Sequence, residues 1–180
     1  MKALVQRVMN AKVTVNGEVI SSIGRGMCVL IGISSNDTKK DMEYIIRKIL
    51  SIKIFDGDDD KKWKKNIVDT QFEVLCVSQF TLYNTWKGTK PDFHCAMPGD
   101  KSKEFYETFL HMLQDAYIAE KVKDGQFGAY MQVSLQNDGP VTFQIESPNN
   151  AGKDKVRNQG RTEMDSVQVN GDTSSVVKEQ

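Results

Sequence analysis

Cysteine is scarce in this chain. There are three, Cys28, Cys76 and Cys95, with no C-x-x-C pair. An odd, sparse set excludes a disulfide framework and points to a reducing compartment. Histidine is scarcer still: only His94 and His111 occur, and no four ligands stand at metal-binding spacing, which argues against a zinc site. Charge of one sign is also lacking. Lys plus Arg number 24 and Asp plus Glu number 24, a formal net charge of zero. That excludes nucleic-acid binding by bulk charge; any such contact must come from a local patch. Long apolar runs are missing too. The longest, Met27 to Ile33, is interrupted by Gly32 and falls far short of the roughly 20 residues that span a bilayer. The first residues carry Lys2 and Arg7 and lack the apolar stretch and small-residue cleavage site of a signal peptide. Finally, aromatic residues, leucine and isoleucine are all absent from Ser147 to Gln180. A segment so poor in apolar surface cannot offset its chain entropy, so the expected division is a folded domain over 1–146 and a disordered polar tail over 147–180.

What is present reads as alternating strands and helices. Residues 2–9 and Val13-Thr14-Val15 are β-rich, and Asn16-Gly17 before Glu18-Val19-Ile20 is a strong hairpin signal. Met27 to Ile33 reads as a buried central strand. Asp37 is the expected N-cap of a helix over about 38–51, with Met42, Ile45, Ile46, Ile49 and Leu50 on one face. A short strand over 52–55 and a turn at Asp56–Asp60 follow. Phe72 to Phe80 is the next strand, and 83–99 looks irregular. Asp100 is the expected cap of a second helix reaching Tyr117, striped by Phe105, Phe109, Met112, Leu113 and Ala116. Residues 129–136 alternate as a half-buried strand. Asn137-Asp138-Gly139-Pro140 then reads as a turn before a last strand with Val141, Phe143 and Ile145. The order β-β-β-α-β-β-α-β-β predicts an α/β fold, a compact mixed sheet or barrel with two covering helices.

Few residues suggest chemistry. His111 sits off the apolar stripe of the second helix and reads as surface. His94 lies beside Cys95 in the irregular segment. Cys76, between Leu75 and Val77, reads as a small core hydrophobe. Asp58-Asp59-Asp60 lacks the ligand alternation of a calcium loop. Lys61-Lys62-Trp63-Lys64-Lys65 could clamp a phosphate backbone, although the neighbouring aspartates could equally neutralise it. Gly24-Arg25-Gly26 precedes a strand, not a helix, and is turn chemistry rather than a dinucleotide loop. Two segments stand out. Ser78-Gln79-Phe80-Thr81-Leu82 ends a strand, where backbone N–H groups become free to bind a ligand oxygen. Gly139-Pro140 places a proline where a returning strand would need a ladder donor, and its bond is a candidate for cis geometry.

At these two segments the chain closely resembles the D-aminoacyl-tRNA deacylases, also called the D-Tyr-tRNA deacylase family, in their eukaryotic type-1 form. The likeness covers essentially all of 1–146. It rests on Met1-Lys2-Ala3-Leu4-Val5-Gln6-Arg7-Val8, Ser78-Gln79-Phe80-Thr81-Leu82, Lys87-Gly88-x-Lys90-Pro91-Asp92-Phe93, Phe127-Gly128-Ala129-Tyr130-Met131 and Asn137-Asp138-Gly139-Pro140-Val141-Thr142. The related animal subtype, with P-Q-A-T at the strand end and a trans Gly-Pro, is set aside because Ser78-Gln79-Phe80-Thr81 stands there instead.

The resemblance implies a cofactor-free, metal-free hydrolase. It would cleave the ester between a D-amino acid and the 3′-terminal adenosine of tRNA, and glycine mischarged on tRNA-Ala, while excluding L-aminoacyl-tRNA. It implies a homodimer in which the Gly-cisPro motif, Gly139 and Pro140, reaches into the partner's pocket and excludes L side chains by backbone. Ser78, Gln79, Phe80 and Thr81 would line the ester. Phe127, Gly128 and Met131 would form the adenosine pocket, Arg7 would brace the Gly-Pro loop, and Ala96 would stand near the pocket. Thr81 has no evident base in sequence, and the family picture favours the tRNA's own 2′-OH as helper. Lys61–Lys65, Lys87 and Lys90 would meet the tRNA backbone. The location implied is cytoplasmic, with a nuclear pool allowed. DNA binding is not favoured, since the tail carries five basic and five acidic residues.

Overall fold

The computed structural model describes residues 1–59 and 61–148. The central strand is β1, Lys2–Val15, the spine on which the rest is hung. Along one side it pairs antiparallel with β3, Gly26–Gly32, over its first half and with β2, Glu18–Ile23, over its second. The Asn16-Gly17 turn between β1 and β2 has positive φ at both residues, 51° and 84°, as the hairpin signal requires. β4, Glu73–Ser78, lies parallel to β3, and β7, Val122–Asp124, lies parallel to β4. Each parallel step needs a crossover, and a helix supplies it. These helices are α1, Lys39–Ser51, and α3, Gly99–Ala116; a single turn, α2, spans Ile67–Thr70.

Two cores lie on opposite faces of this sheet. Val5, Met27, Val29, Ile31, Val74 and Cys76 face α1 and α3. Val8, Val13, Ile23, Cys28, Leu75 and Val77 fill the other side, where the sheet curls into a nearly closed barrel. A bulge makes the exchange of faces possible. Odd residues Ala3 and Val5 face the helices, whereas Ala11, Val13 and Val15 face the barrel interior. Strict alternation forbids that, but the β1 register shifts between Val8 and Asn10, leaving Met9 as the extra residue. One inserted residue flips every later side chain to the other face. The edges of the barrel meet where Ser21 Oγ donates to the Asp124 carbonyl.

The expected order holds in outline and needs correction at six places. Asp37 does not cap α1; Thr38 does, and Asp41 Oδ2 accepts its N–H at 2.8 Å. Asp37 is buried instead, with Oδ1 against the Met1 ammonium and Oδ2 accepting the Ser34 N–H. Asp100 does not cap α3; the helix begins one residue earlier, and Pro98 precedes it. The buried stripe of α3 is Tyr106, Phe109, Leu110 and Leu113, rotated by about one position from the expected one. Residues 52–55 form only an isolated bridge, Phe55 to Lys65, rather than a strand. The irregular 83–99 segment contains a separate ribbon of β5, Thr85–Lys87, and β6, Lys90–Asp92. The turn at 137–140 is not a hairpin. Gln132–Glu146 is one strand, β8, which pairs antiparallel with β1 at both ends. Gln6 faces Thr142 and Val8 faces Asn137, so the four residues Asp138–Val141 stand opposite Arg7 alone. A hairpin would need its two arms to bond to each other; here both bond to β1, and Pro140, without an N–H, sits in the bulge.

Ser147, expected to open the tail, is buried: its N–H donates to the Met1 carbonyl, and its Oγ accepts from the Met1 ammonium and donates to Asp41 Oδ1. The rest of the tail from Asn149, and Asp60 of the acidic turn, lie outside the described residues.

Candidate active site

The strand-end motif opens a cavity. β4 ends at Ser78, paired beside Ile31 of β3, and the Gln79 N–H donates to the Ile31 carbonyl at 2.7 Å. The chain then tightens into a 3₁₀ turn at Phe80–Leu82. The opening N–H groups of such a turn have no partner within it and are available to an oxygen from outside. Gln79 Nε2 donates to Thr81 Oγ1 at 2.5 Å, and Asn84 Nδ2 donates to the Thr81 carbonyl, so the turn is fixed by its own side chains. Phe80 is 57% exposed, with its ring edge-on to Phe93, centroids 5.0 Å apart.

Ser78, Gln79 and Phe80 wall a cavity of about 380 Å³ together with Ala96, Phe127 and Gly128. These are six of the residues the resemblance singles out. Phe127 and Gly128 belong to the loop after β7, where Gly128 has a φ of +75°. Ala96 stands in the loop after β6, bridged to Ser34. The other wall residues were not foreseen as site residues, among them Pro98, Gly99 and Ser102 at the start of α3. Because these residues line the cavity, the positive dipole end of α3 borders it, and no side chain caps that end. Tyr106 packs against the wall residue Phe127, ring centroids 5.8 Å apart, with its hydroxyl buried and without a hydrogen-bond partner among the described residues. Burial pushes the Tyr106 phenol far up, so it stays protonated.

Thr81, Met131, Arg7, Gly139 and Pro140 do not wall this cavity. Thr81 reaches it only through Gln79. Met131 packs instead against the barrel core, beneath Gly125. Arg7 braces the bulge of β8: Nε donates to the Asp138 carbonyl at 3.0 Å, while Nη1 donates to the Ile54 carbonyl. Asp138 is also paired with Arg25 at 3.4 Å. A side chain on Gly139 would come within 2.9 Å of Arg7 Nη2, and its φ of +80° suits glycine alone. The Gly139–Pro140 bond is trans, since no described peptide bond is cis. This differs from the cis bond the resemblance implies, and the chain rejoins the β1 ladder two residues later, at Thr142 opposite Gln6.

The remaining candidates are placed as follows. Cys28 and Cys76 are buried, and burial raises both thiols, Cys28 to about 11, so neither is a thiolate at neutral pH. His111 is exposed on α3. His94 is exposed with Nδ1 on Asp92, whose carboxyl is held well below its usual range by Lys87 and then by His94. Lys61 and Lys65 pair with Asp59 and Asp58, the neutralisation the sequence allowed. Gly26 packs too close for a side chain: a Cβ would lie 1.9 Å from the Glu73 carbonyl oxygen. A larger groove of about 560 Å³ between α1, α2 and α3, floored by Ile46, Leu50 and Met112, holds neither His nor Cys.

The model of the D-Tyr-tRNA(Tyr) deacylase family matches residues 4–146. The chain belongs to that family. The bovine "D-aminoacyl-tRNA deacylase 1" is 60% identical over 148 residues, 82% of this chain and 71% of the relative. The Drosophila melanogaster "D-aminoacyl-tRNA deacylase" is 53% identical over 155 residues, 86% of this chain and 98% of the relative. Among solved structures, that of the "c-Myc DNA Unwinding Element Binding Protein" is 57% identical, with a TM-score of 0.80, covering 82% of this chain and 99% of that one. The structure of a probable eukaryotic D-amino acid tRNA deacylase shares the fold, with a TM-score of 0.69 at 18% identity, covering 80% of this chain and 98% of that one. The deacylase family is one of ester hydrolases.

Proposed function

We propose that the protein hydrolyses the ester of D-aminoacyl-tRNA, releasing the free D-amino acid and the tRNA. The observation that carries this reading is the convergence of Ser78, Gln79 and Phe80 with Phe127 and Gly128 on one cavity, in a chain of the deacylase family. The adenosine face lies against Phe127. The ester carbonyl meets the free N–H groups where β4 becomes the 3₁₀ turn, which polarise it and stabilise the developing oxyanion. Thr81 is not the nucleophile, because the group on its hydroxyl is the Gln79 amide N–H, a donor and not a base. Water attacks, assisted by the 2′-OH of the substrate's own ribose.

Selectivity belongs to Gly139 and Pro140, acting across a homodimer. Both are exposed on β8, whose outer edge pairs with no strand among the described residues. A bare edge of that length is a surface that proteins cover. Backbone set opposite the substrate α-carbon excludes an L side chain and admits glycine, which has nothing to exclude. tRNA is the partner, with glycyl-tRNA-Ala as a second substrate, in the cytoplasm.

The test is direct. The full chain incubated with D-Tyr-tRNA, L-Tyr-tRNA and Gly-tRNA-Ala is expected to deacylate the first and third and spare the second. A second reading, DNA binding, is favoured by the 57% identical relative, a protein named for binding a DNA unwinding element. A chain that left all three esters intact while retaining duplex DNA would establish that reading instead.

A further inference from the structure

The β5–β6 ribbon stands apart from the main sheet; its lysines, Lys87 and Lys90, are candidates for the tRNA backbone from the sequence, and its aromatic residue has no role in the chemistry described above. Three-residue strands paired only with each other are marginal in water and bury nothing by themselves. Yet this ribbon presents Trp86, 68% exposed, opposite Pro91. No ring or cation packs on that indole among the described residues, whereas Trp63 lies edge-on to Phe143 at 5.6 Å. Gly88, with a φ of +64°, opens the tight turn that sets Lys87 directly across from Lys90. Like charges directly opposite one another destabilise a ladder. Asp92 answers Lys87 at 2.6 Å, and no described carboxylate pairs with Lys90. The ribbon therefore offers a bare aromatic face beside an uncompensated cation.

Its position gives that surface a purpose. β6 runs directly into Phe93, which walls the cavity and meets Phe80 at its mouth. If the cavity holds a terminal adenosine, the nucleotides before it must leave past Phe80 and Phe93, toward the ribbon. Single-stranded nucleic acid is held by aromatic faces on which bases stack, with cations along the backbone.

We propose that the β5–β6 ribbon is a docking site for the single-stranded 3′ end of tRNA, with Trp86 stacking on a base upstream of the terminal adenosine and Lys90 neutralising a neighbouring phosphate. This rests on the deacylase reading. It adds a subsite outside the cavity, one that a substrate lacking upstream nucleotides cannot use.

The experiment compares D-tyrosyl-adenosine with D-Tyr-tRNA as substrates and measures binding of uncharged tRNA separately, using full-length wild type, Trp86→Ala, Trp86→Phe and Lys90→Glu. Trp86→Ala is expected to raise KM for D-Tyr-tRNA, and to weaken uncharged tRNA binding, by about tenfold, with kcat within about twofold and D-tyrosyl-adenosine hydrolysis unchanged. Trp86→Phe should restore most of the loss. Lys90→Glu should lower the salt dependence of tRNA binding by about 0.7 in log–log slope. If Trp86→Ala leaves both tRNA constants unchanged, or impairs the adenosine ester equally, the ribbon assignment is wrong while the deacylase reading stands. Tryptophan-dependent tRNA binding by a wild type that cleaves neither ester would retain the ribbon and overturn the hydrolysis.

Discussion

At the scale of single residues, Arg7 connects the most distant parts of the fold. Its guanidinium bonds the carbonyls of Ile54 and Asp138 and faces Gly139, so one buried cation fixes the bulge in β8. Arg7→Ala strands the Ile54 and Asp138 carbonyls and leaves the Asp138 carboxylate to Arg25 alone, and should cost about 3 kcal/mol, read as a fall in the urea midpoint. Arg7→Lys should recover little of it, because an ammonium cannot span both carbonyls as the guanidinium fork does. Gly26 is constrained differently. Its missing Cβ is what lets β3 approach β4, so Gly26→Ala should lose about 3 kcal/mol through overpacking, seen as a lowered Tm. Gly17→Ala, with open space around it but a φ of +84°, should cost only about 1 kcal/mol.

At the scale of elements, the start of α1 is coupled to both ends of the domain. Asp41 is 1% exposed and receives the Thr38 N–H and the Ser147 hydroxyl. Burial alone would raise its carboxyl; the hydrogen bonds from Ser147 and Thr38 and the Met1 ammonium outweigh this and hold it below the usual range. A carboxyl whose folded pKa is depressed contributes stability above its unfolded pKa, near 4, and loses it as pH falls through the folded value. The protein should therefore weaken below about pH 4. Asp41→Asn should be less stable by about 2 kcal/mol at pH 7 and show a shallower acid limb in stability against pH. An equal acid limb in both proteins would place the titration elsewhere.

At the scale of the whole molecule, one chain brings the wall of the cavity and the Gly139–Pro140 segment to different places. The cavity is walled from β4, the loop after β6, α3 and the loop after β7, while Gly139 sits in the bulge of β8 opposite Arg7. The homodimer reading makes that separation meaningful, and it predicts a species of twice the chain mass by light scattering. Gln79→Ala and Pro140→Ala chains, each impaired as a homodimer, should regain up to about half of wild-type selective activity per mixed dimer, since one of its two sites is then intact. Sites built wholly within one chain would gain nothing from mixing.

Local pattern was legible wherever an element was long enough to show a period. The β1–β2 hairpin follows from Asn16-Gly17, β3 and β4 from their apolar runs, and α1 from Met42, Ile45, Ile46 and Ile49. The three-residue strands β5, β6 and β7 carry no period to read. β8 looked like two strands because Asp138-Gly139-Pro140 has turn chemistry, and only the ladder with β1 shows that the chain continues through it. The strand-end motif at Ser78–Phe80 was readable as a place where backbone donors come free. The contribution of Pro98, Gly99 and Ser102 was not, because nothing near them in the chain encodes where α3 will dock.

By itself, then, the sequence determined the elements with strong periodicity, the lack of an apolar run long enough for a membrane-spanning helix, and the motifs that carry the family likeness. The tertiary structure alone decided which face each half of β1 buries, through the bulge at Met9. It also decided which distant segments wall the cavity and that Met131 turns to the barrel core. The reason is that periodicity and turn chemistry act over a few neighbouring residues, whereas a cavity is a convergence of segments far apart in the chain, positioned by strand register and helix docking.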